Sequence, residues 1–173
     1  SGGSPVVPWS AVVLASVVSL AGGAVVPGSP VVGSSAPELA PEPALCDTIR
    51  GTIESIKNFA AEIHAGKIVG KGGAFSQLLV VGIGGSALGP QLVAAALESP
   101  TDRMRPHFFD NTDPDGFDRV LDRIGGALDR TLVLVVSKSG GTKETRNGML
   151  EVAARFAAHG VPFGPQAVAV TGE

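Results

Sequence analysis

The segment "TLVLVVSKSGGTKETRNG", Thr131–Gly148, joins an apolar run, a stretch of hydroxyl and glycine residues, and the start of a helical pattern. A short, continuous apolar run that ends at turn residues is typical of a fully buried strand. The residues from Thr142 to Gly160 place apolar side chains at three- and four-residue spacing, which is typical of a helix. The segment therefore predicts a strand, a tight loop and a helix in succession.

The same succession recurs on both sides of this segment. The predicted strands are Gln77–Ile83, Arg105–Asp110, Thr131–Ser137 and Gln166–Thr171, and the helices between them are Ala87–Ser99, Asp113–Leu128 and Thr142–Gly160. Apolar strands that alternate with helices are typical of a parallel sheet with both faces covered. The sequence therefore predicts an α/β fold, a parallel sheet with helices on both faces, and we expect the sheet to be incomplete at its C-terminal end.

Composition divides the chain into three parts. Residues 1–37 contain no charged side chain, residues 38–46 are rich in proline and form a predicted linker, and residues 47–173 form the predicted domain. The domain opens with an amphipathic helix from Asp47, a suitable N-cap, to Gly66. The apolar segment Val6–Val26 is long enough to span a bilayer, but it lacks flanking basic residues. We therefore favour a processed or spurious leader over a membrane anchor.

The charge and the scarce cysteine and histidine residues exclude several classes of protein. The formal net charge of the 173 residues is −3, whereas a nucleic-acid-binding domain normally carries a basic surface. The single cysteine, Cys46, cannot form an internal disulfide, which suits a reducing compartment. The three histidines are far apart in the sequence and do not have the spacing of zinc ligands. We therefore expect no nucleic-acid partner and no metal.

Two loops have the composition of a ligand site. In parallel sheets, ligands bind where the carboxyl ends of strands meet the N-termini of helices. The loop "GIGGSALG", Gly82–Gly89, allows close backbone approach, and Ser137, Ser139 and Thr142 of the second loop supply hydroxyl donors. Gly140 and Gly141 allow that loop to form an anion-binding concavity, with Lys138 at its rim. A phosphate monoester is an anion of suitable size and charge for this concavity.

Two alternatives remain open from the residues alone. Gly82, Gly84 and Ala87 fit a dinucleotide-binding fingerprint, with Asp110 at the position of a ribose-binding acid. The glycines could also serve only as tight turns between strands and helices. A dinucleotide site has no use for the hydroxyl-rich loop after the third strand, whereas a phosphosugar would contact both loops.

Three motifs resemble those of the glucose-6-phosphate isomerase family, and in particular its bacterial and plastid-type branch. They are "GIGGSALGPQ" (Gly82–Gln91), "DNTDPDG" (Asp110–Gly116) and "SKSGGTKETRNG" (Ser137–Gly148). The resemblance covers about Asp47 to Glu173. It implies a sugar isomerase (SIS) domain and the reversible interconversion of glucose 6-phosphate and fructose 6-phosphate, with no metal or organic cofactor.

The resemblance also assigns site residues. It matches Ser137, Ser139 and Thr142 to the family's phosphate-binding hydroxyls and Lys138 to the lysine beside them. Gly140 and Gly141 are the intervening loop positions, and Gly85 and Ser86 match the family's sugar-binding pair. It further implies a homodimer for the full-length protein and a location in the cytoplasm or the plastid stroma.

The family's proton-transfer residues have no match in this chain. The resemblance implies a glutamate base and a ring-opening histidine, but both belong to later family segments. General acid–base catalysis requires a group within hydrogen-bond reach of the transferred proton. We therefore expect a partial isomerase that is inactive alone, and a non-catalytic phosphosugar-binding SIS module remains the alternative.

Overall fold

A computed structural model describes residues 43–171 of the chain, and these residues form a three-layer α/β arrangement. The helices are α1 (Pro43–His64), α2 (Gly85–Leu97), α3 (Pro114–Ile124) and α4 (Lys143–Ala158). The strands are β1 (Gln77–Val81), β2 (Arg105–Phe109), β3 (Thr131–Val136) and β4 (Ala167–Val170). The predicted fold class is confirmed.

All four strands are parallel and lie in the order β2-β1-β3-β4. The chain passes from β1 to β2 on one side, and then crosses back over β1 to reach β3 on the other side. Crossover connections between parallel strands are right-handed. Because the β1–β2 and β2–β3 connections run in opposite directions across the sheet, their helices lie on opposite faces.

The core confirms this division into two layers. On one face, Leu78 and Val80 of β1 pack in a cluster with Ile63 of α1 and Ala94 of α2. On the other face, the alternate β1 residues Leu79 and Val81 pack with α3 and α4. The buried helix residues of this second cluster include Leu121, Ile124, Val152 and Phe156. The sheet is therefore buried on both faces, as the continuous apolar strands predict.

The first helix begins earlier than its sequence pattern predicts. α1 begins at Pro43 rather than Asp47, so residues 43–46, which the composition assigns to a linker, form its first turn. Proline suits the first position of a helix because its missing amide hydrogen would have no intrahelical acceptor there. The uncharged leader, residues 1–37, lies outside the described residues. Within residues 43–171, no helix has the length and apolar character needed to cross a membrane.

The third helix ends sooner than predicted. α3 stops at Ile124 instead of Leu128, because Gly125 adopts a φ of +56° and donates its amide to Leu121 O. This left-handed φ favours glycine and terminates the helix. A 3₁₀ helix, Gly125–Arg130, then leads into β3.

Gln166 stabilises the edge of the sheet at which the strands begin. Its side chain is almost fully buried, and its Nε2 donates to Leu128 O and Thr131 O at 3.0 and 2.8 Å. Its Oε1 accepts the amide of Lys71 at 2.8 Å. One side chain thus satisfies three backbone groups from distant segments, and this fixes where β3 starts.

His107 is a buried titratable group on β2. Its ring Nε2 lies 2.8 Å from Gln77 Oε1, and 6% of the residue is exposed. Burial, together with the positive charges of Arg105 and Arg123, lowers the pKa of His107 from 6.5 to about 4. The folded protein therefore holds a neutral imidazole at neutral pH.

We predict that His107 makes the protein less stable in acid. Between pH 6.5 and 4 the unfolded chain binds a proton that the folded chain excludes, so stability falls as the pH decreases. One such proton contributes a slope of up to about 1.4 kcal/mol per pH unit. Urea unfolding from pH 7.5 to 4 should show this slope in the wild type and a smaller slope in His107→Gln. Equal slopes in the wild type and His107→Gln would contradict the assignment.

Candidate functional site

The reversal of strand order places two loops side by side at the carboxyl edge of the sheet. β1 and β3 are neighbours, with Val81 in register with Val135, yet the chain leaves them toward helices on opposite faces. The glycine loop, Gly82–Ser86, follows β1, and the hydroxyl loop, Ser137–Thr142, follows β3. Adjacent strands are about 4.8 Å apart. The two loops therefore border one crevice, in the position where open α/β sheets bind ligands.

The hydroxyl loop forms a compact turn whose side chains contact one another. Ser137 is buried, and its Oγ donates to Thr142 Oγ1 at 3.2 Å. Ser139 Oγ accepts the amide of Gly141 at 3.2 Å, and Gly140 turns the chain with a φ of +66°. The structure thus brings Ser137 and Thr142 together, while Lys138 through Gly141 are exposed at the surface. Hydroxyl groups rotate freely, so these donors can turn toward an anion.

The N-terminus of α4 adds backbone donors to this loop. No side chain caps the helix, and its first regular backbone bond runs from Arg146 N to Thr142 O at 3.0 Å. The preceding amides of the first turn therefore have no intrahelical acceptor. Free amides together with the positive end of the helix dipole favour an anion at this position.

Thr145 is a further candidate site residue that the sequence analysis missed. It is 3% exposed, and its Oγ1 has no hydrogen-bond partner among the described residues. One turn later on the same face, Gly148 packs so closely on β1 that a Cβ there would lie 3.0 Å from Val81 Cγ1. Thr145 therefore lies beyond the end of β1, toward the crevice. Its spacing of three residues from Thr142 is the sequence signal that could have identified it.

The glycine loop approaches its helix very closely. A Cβ at Gly82 would lie 3.0 Å from Ser86 Cβ and 3.1 Å from Ser86 O. Gly84 adopts a φ of +55°. The amides of Ser86 and Ala87 donate to Ile83 O and Gly84 O, whereas the amides of Gly84 and Gly85 have no backbone acceptor among the described residues. The first loop thus keeps free backbone amides at the start of α2.

Three cations surround the hydroxyl loop. Lys138, Lys143 and Arg146 are exposed, and none forms an ion pair within residues 43–171. The sequence analysis identified only Lys138. Cations at a helix N-terminus oppose the helix dipole unless an anion is present. The first turn of α4 has one acidic residue, Glu144, against these three cations. The net positive charge favours a negatively charged ligand.

Asp110 does not have the free carboxylate that a dinucleotide site needs. Gln91 Nε2 donates to its Oδ2 at 2.7 Å, and Asn111 Nδ2 donates to its Oδ1 at 2.8 Å. A ribose would have to share the carboxylate with these partners. The hydroxyl loop on the neighbouring strand would also be unused, so the geometry favours an anion such as a phosphate over a dinucleotide.

Two of the three histidines lie inside the fold or at the far end of a helix, and the third, His64, is the last residue of α1. His107 is buried within β2, and His159 caps the far end of α4. Glu144 and Glu151 are exposed on α4. Within residues 43–171, no group of His, Cys, Asp and Glu side chains could hold a metal ion. The absence of a catalytic pair from this chain stays a prediction.

Comparison with protein families and curated relatives gives a consistent result. The family model described as phosphoglucose isomerase matches residues 37–166. A glucose-6-phosphate isomerase of Geobacter sp. strain M21 is 60% identical over 138 residues, which are 79% of this chain and 26% of the relative. One from Synechococcus elongatus is 57% identical over 137 residues, with the same coverage. The chain thus spans about a quarter of the length of these relatives.

Solved structures agree with the sequence comparison. A crystal structure of glucose-6-phosphate isomerase from Chlamydia trachomatis superposes with a TM-score of 0.62 at 34% identity, covering 75% of this chain and 24% of that one. A hypothetical protein from Thermus thermophilus superposes with a TM-score of 0.53 at 26% identity, covering 92% and 33%.

We predict that Gly82→Ala destabilises the domain by about 1–3 kcal/mol, the usual cost of overpacking a close contact. The added methyl group would force the first turn of α2 away from β1. The matched control is Gly89→Ala in the same helix, where a Cβ would meet nothing within 4 Å. This control should be neutral or stabilising, because alanine favours helix. Equal urea midpoints for the two variants would contradict the close approach.

Proposed function

This chain belongs to the phosphoglucose isomerase family, and we propose that its crevice between β1 and β3 binds the phosphate and the sugar of a hexose 6-phosphate. The complete enzyme would interconvert glucose 6-phosphate and fructose 6-phosphate. Residues 47–173 would be part of its SIS domain, without a metal or organic cofactor.

The hydroxyl loop is the observation that carries this proposal. Ser137, Ser139 and Thr142 supply hydroxyls, and Gly140 and Gly141 expose the backbone at the free N-terminus of α4. A phosphate dianion accepts several hydrogen bonds at once, and bonds to a charged acceptor are about twice as strong as neutral ones. Lys138 adds a positive charge at the rim, and the unpaired hydroxyl of Thr145 is a further donor.

The glycine loop would hold the sugar part of the same ligand. Gly85 offers a free amide, and Ser86, which is partly exposed, offers a hydroxyl. Because β1 and β3 are adjacent, a ligand whose phosphate lies on the hydroxyl loop extends across the glycine loop. This arrangement selects a phosphorylated polyol over free phosphate.

Aldose–ketose isomerisation moves a proton between C1 and C2, and this step needs a positioned base. Such a base typically accelerates the reaction about 10²–10⁴-fold. We infer that the base and the ring-opening acid come from other parts of the enzyme, so the chain binds the substrate without converting it. A homodimer in the cytoplasm or plastid stroma, with no nucleic-acid partner, completes the proposal.

We predict that Ser139→Ala/Thr142→Ala raises the Kd for fructose 6-phosphate at least about tenfold. Each lost hydrogen bond to a charged group weakens binding by about 1.5–3 kcal/mol, and about 1.4 kcal/mol corresponds to a factor of ten. Isothermal titration of the full chain measures this change.

The control for this experiment removes a hydroxyl elsewhere. Thr101→Ala changes an exposed residue in the loop before β2, at the opposite edge of the sheet. It should bind fructose 6-phosphate as the wild type does. Equal affinity of the double variant and the wild type, or tighter binding of NADH than of any hexose phosphate, would reject the proposed function.

A further inference from the structure

Helix α2, which carries Gly85 and Ser86, has little side-chain packing to define its orientation. Its buried residues are Ala87, Pro90 and Ala94, which are all small. Its larger side chains Leu88 and Leu92 are 62% and 70% exposed. Small buried side chains contribute few side-chain contacts, so side-chain packing constrains the tilt of α2 on the sheet less than large interlocking side chains would.

A side-chain hydrogen bond adds a constraint on the orientation of α2. Gln91 Nε2 donates to Asp110 Oδ2 at 2.7 Å, and the pair is partly buried. Among residues 43–171, no other side-chain hydrogen bond joins α2 to the carboxyl edge of the sheet. Asp110 directly follows β2, and the adjacent β1 is joined there through Gly82 N, which donates to Phe109 O at 3.0 Å.

The carboxylate of Asp110 is itself held in place by the segment that follows it. Asn111 Nδ2 donates to Asp110 Oδ1, and Asn111 Oδ1 accepts the amide of Asp113. Asp113 in turn caps α3, because its carboxylate accepts the amides of Asp115 and Gly116. The motif "DNTDPDG" thus links the start of α3 to the middle of α2, and each Asp110 oxygen accepts a hydrogen bond within the fold.

We propose that Gln91 and Asp110 are positioning residues, which fix the first turn of α2 so that Gly85 and Ser86 face the sugar in the crevice. This inference rests on the proposed function. Gln91 lies little more than one helical turn from Ser86, so a tilt of α2 after loss of the bond would displace the sugar-binding turn. The hydroxyl loop belongs to β3 and α4, and it would stay in place.

The test compares two ligands in the full chain. Fructose 6-phosphate uses both loops, whereas inorganic phosphate uses the hydroxyl loop alone. Gln91→Leu should raise the Kd for fructose 6-phosphate about five- to tenfold and leave the Kd for inorganic phosphate within about twofold, since the lost bond has an ionised acceptor. A purely structural role would weaken both ligands together or neither.

Exchanging the amide and the carboxylate between the two positions tests whether a restored hydrogen bond recovers the affinity. Gln91→Glu places two carboxylates against each other and should weaken fructose 6-phosphate binding at least as strongly as Gln91→Leu. Adding Asp110→Asn restores a hydrogen bond in the reverse direction and should recover most of the affinity. Leu92→Gln, on the exposed face of α2, is the control and should bind both ligands as the wild type does.

The outcomes separate the two proposals. If the wild type binds neither ligand, the proposed function fails, and this inference fails with it. If the wild type prefers fructose 6-phosphate to inorganic phosphate and Gln91→Leu keeps that preference, the positioning role alone is wrong. Failure of Asp110→Asn to rescue Gln91→Glu, in a protein that is folded by circular dichroism, would also overturn it.

Discussion

The parallel pairing of β1 with β3 is the constraint on which the rest of the structure depends. These two strands are neighbours, but their following helices pack on opposite faces of the sheet. The loops after them therefore diverge and border the proposed crevice between the two strands. Every residue proposed to contact the ligand lies on one of these loops or in the helical turn that follows. A sheet with its helices on one face would have closed this gap.

The hydroxyl loop is built to exchange internal hydrogen bonds for bonds to a ligand. Ser137 Oγ donates to Thr142 Oγ1, and Ser139 Oγ accepts an amide from its own turn. These bonds keep the loop compact without burying an unpaired charge. Rotation of the hydroxyls would redirect their hydrogens toward a phosphate, while the amides of α4 are already oriented. Little reorganisation is needed, and this preserves binding free energy.

The sequence predicts the fold well because its signals are local. Apolar runs and helical spacing identify each strand and each helix after β1, and the strand–loop–helix order identifies the carboxyl edge as the site. The spacing does not reveal contacts between distant segments. The Gln91–Asp110 bond joins residues that are far apart in sequence, and the burial of Thr145 depends on how closely Gly148 lets α4 approach β1. Helix ends also depend on single residues, such as Gly125 with its left-handed φ.

Hydrogen–deuterium exchange of the full chain, with and without saturating fructose 6-phosphate, would show whether both loops contact one ligand. We expect slower exchange in two separate stretches, residues 82–86 and 137–146, because both loops border the same ligand. A small cavity at the other edge of the sheet should be unchanged; it is lined by Gly125, Gly126, Leu128, Asp129, His159 and Val161, together with Lys71. Protection at that cavity, or protection of one loop without the other, would contradict a single phosphosugar site between β1 and β3.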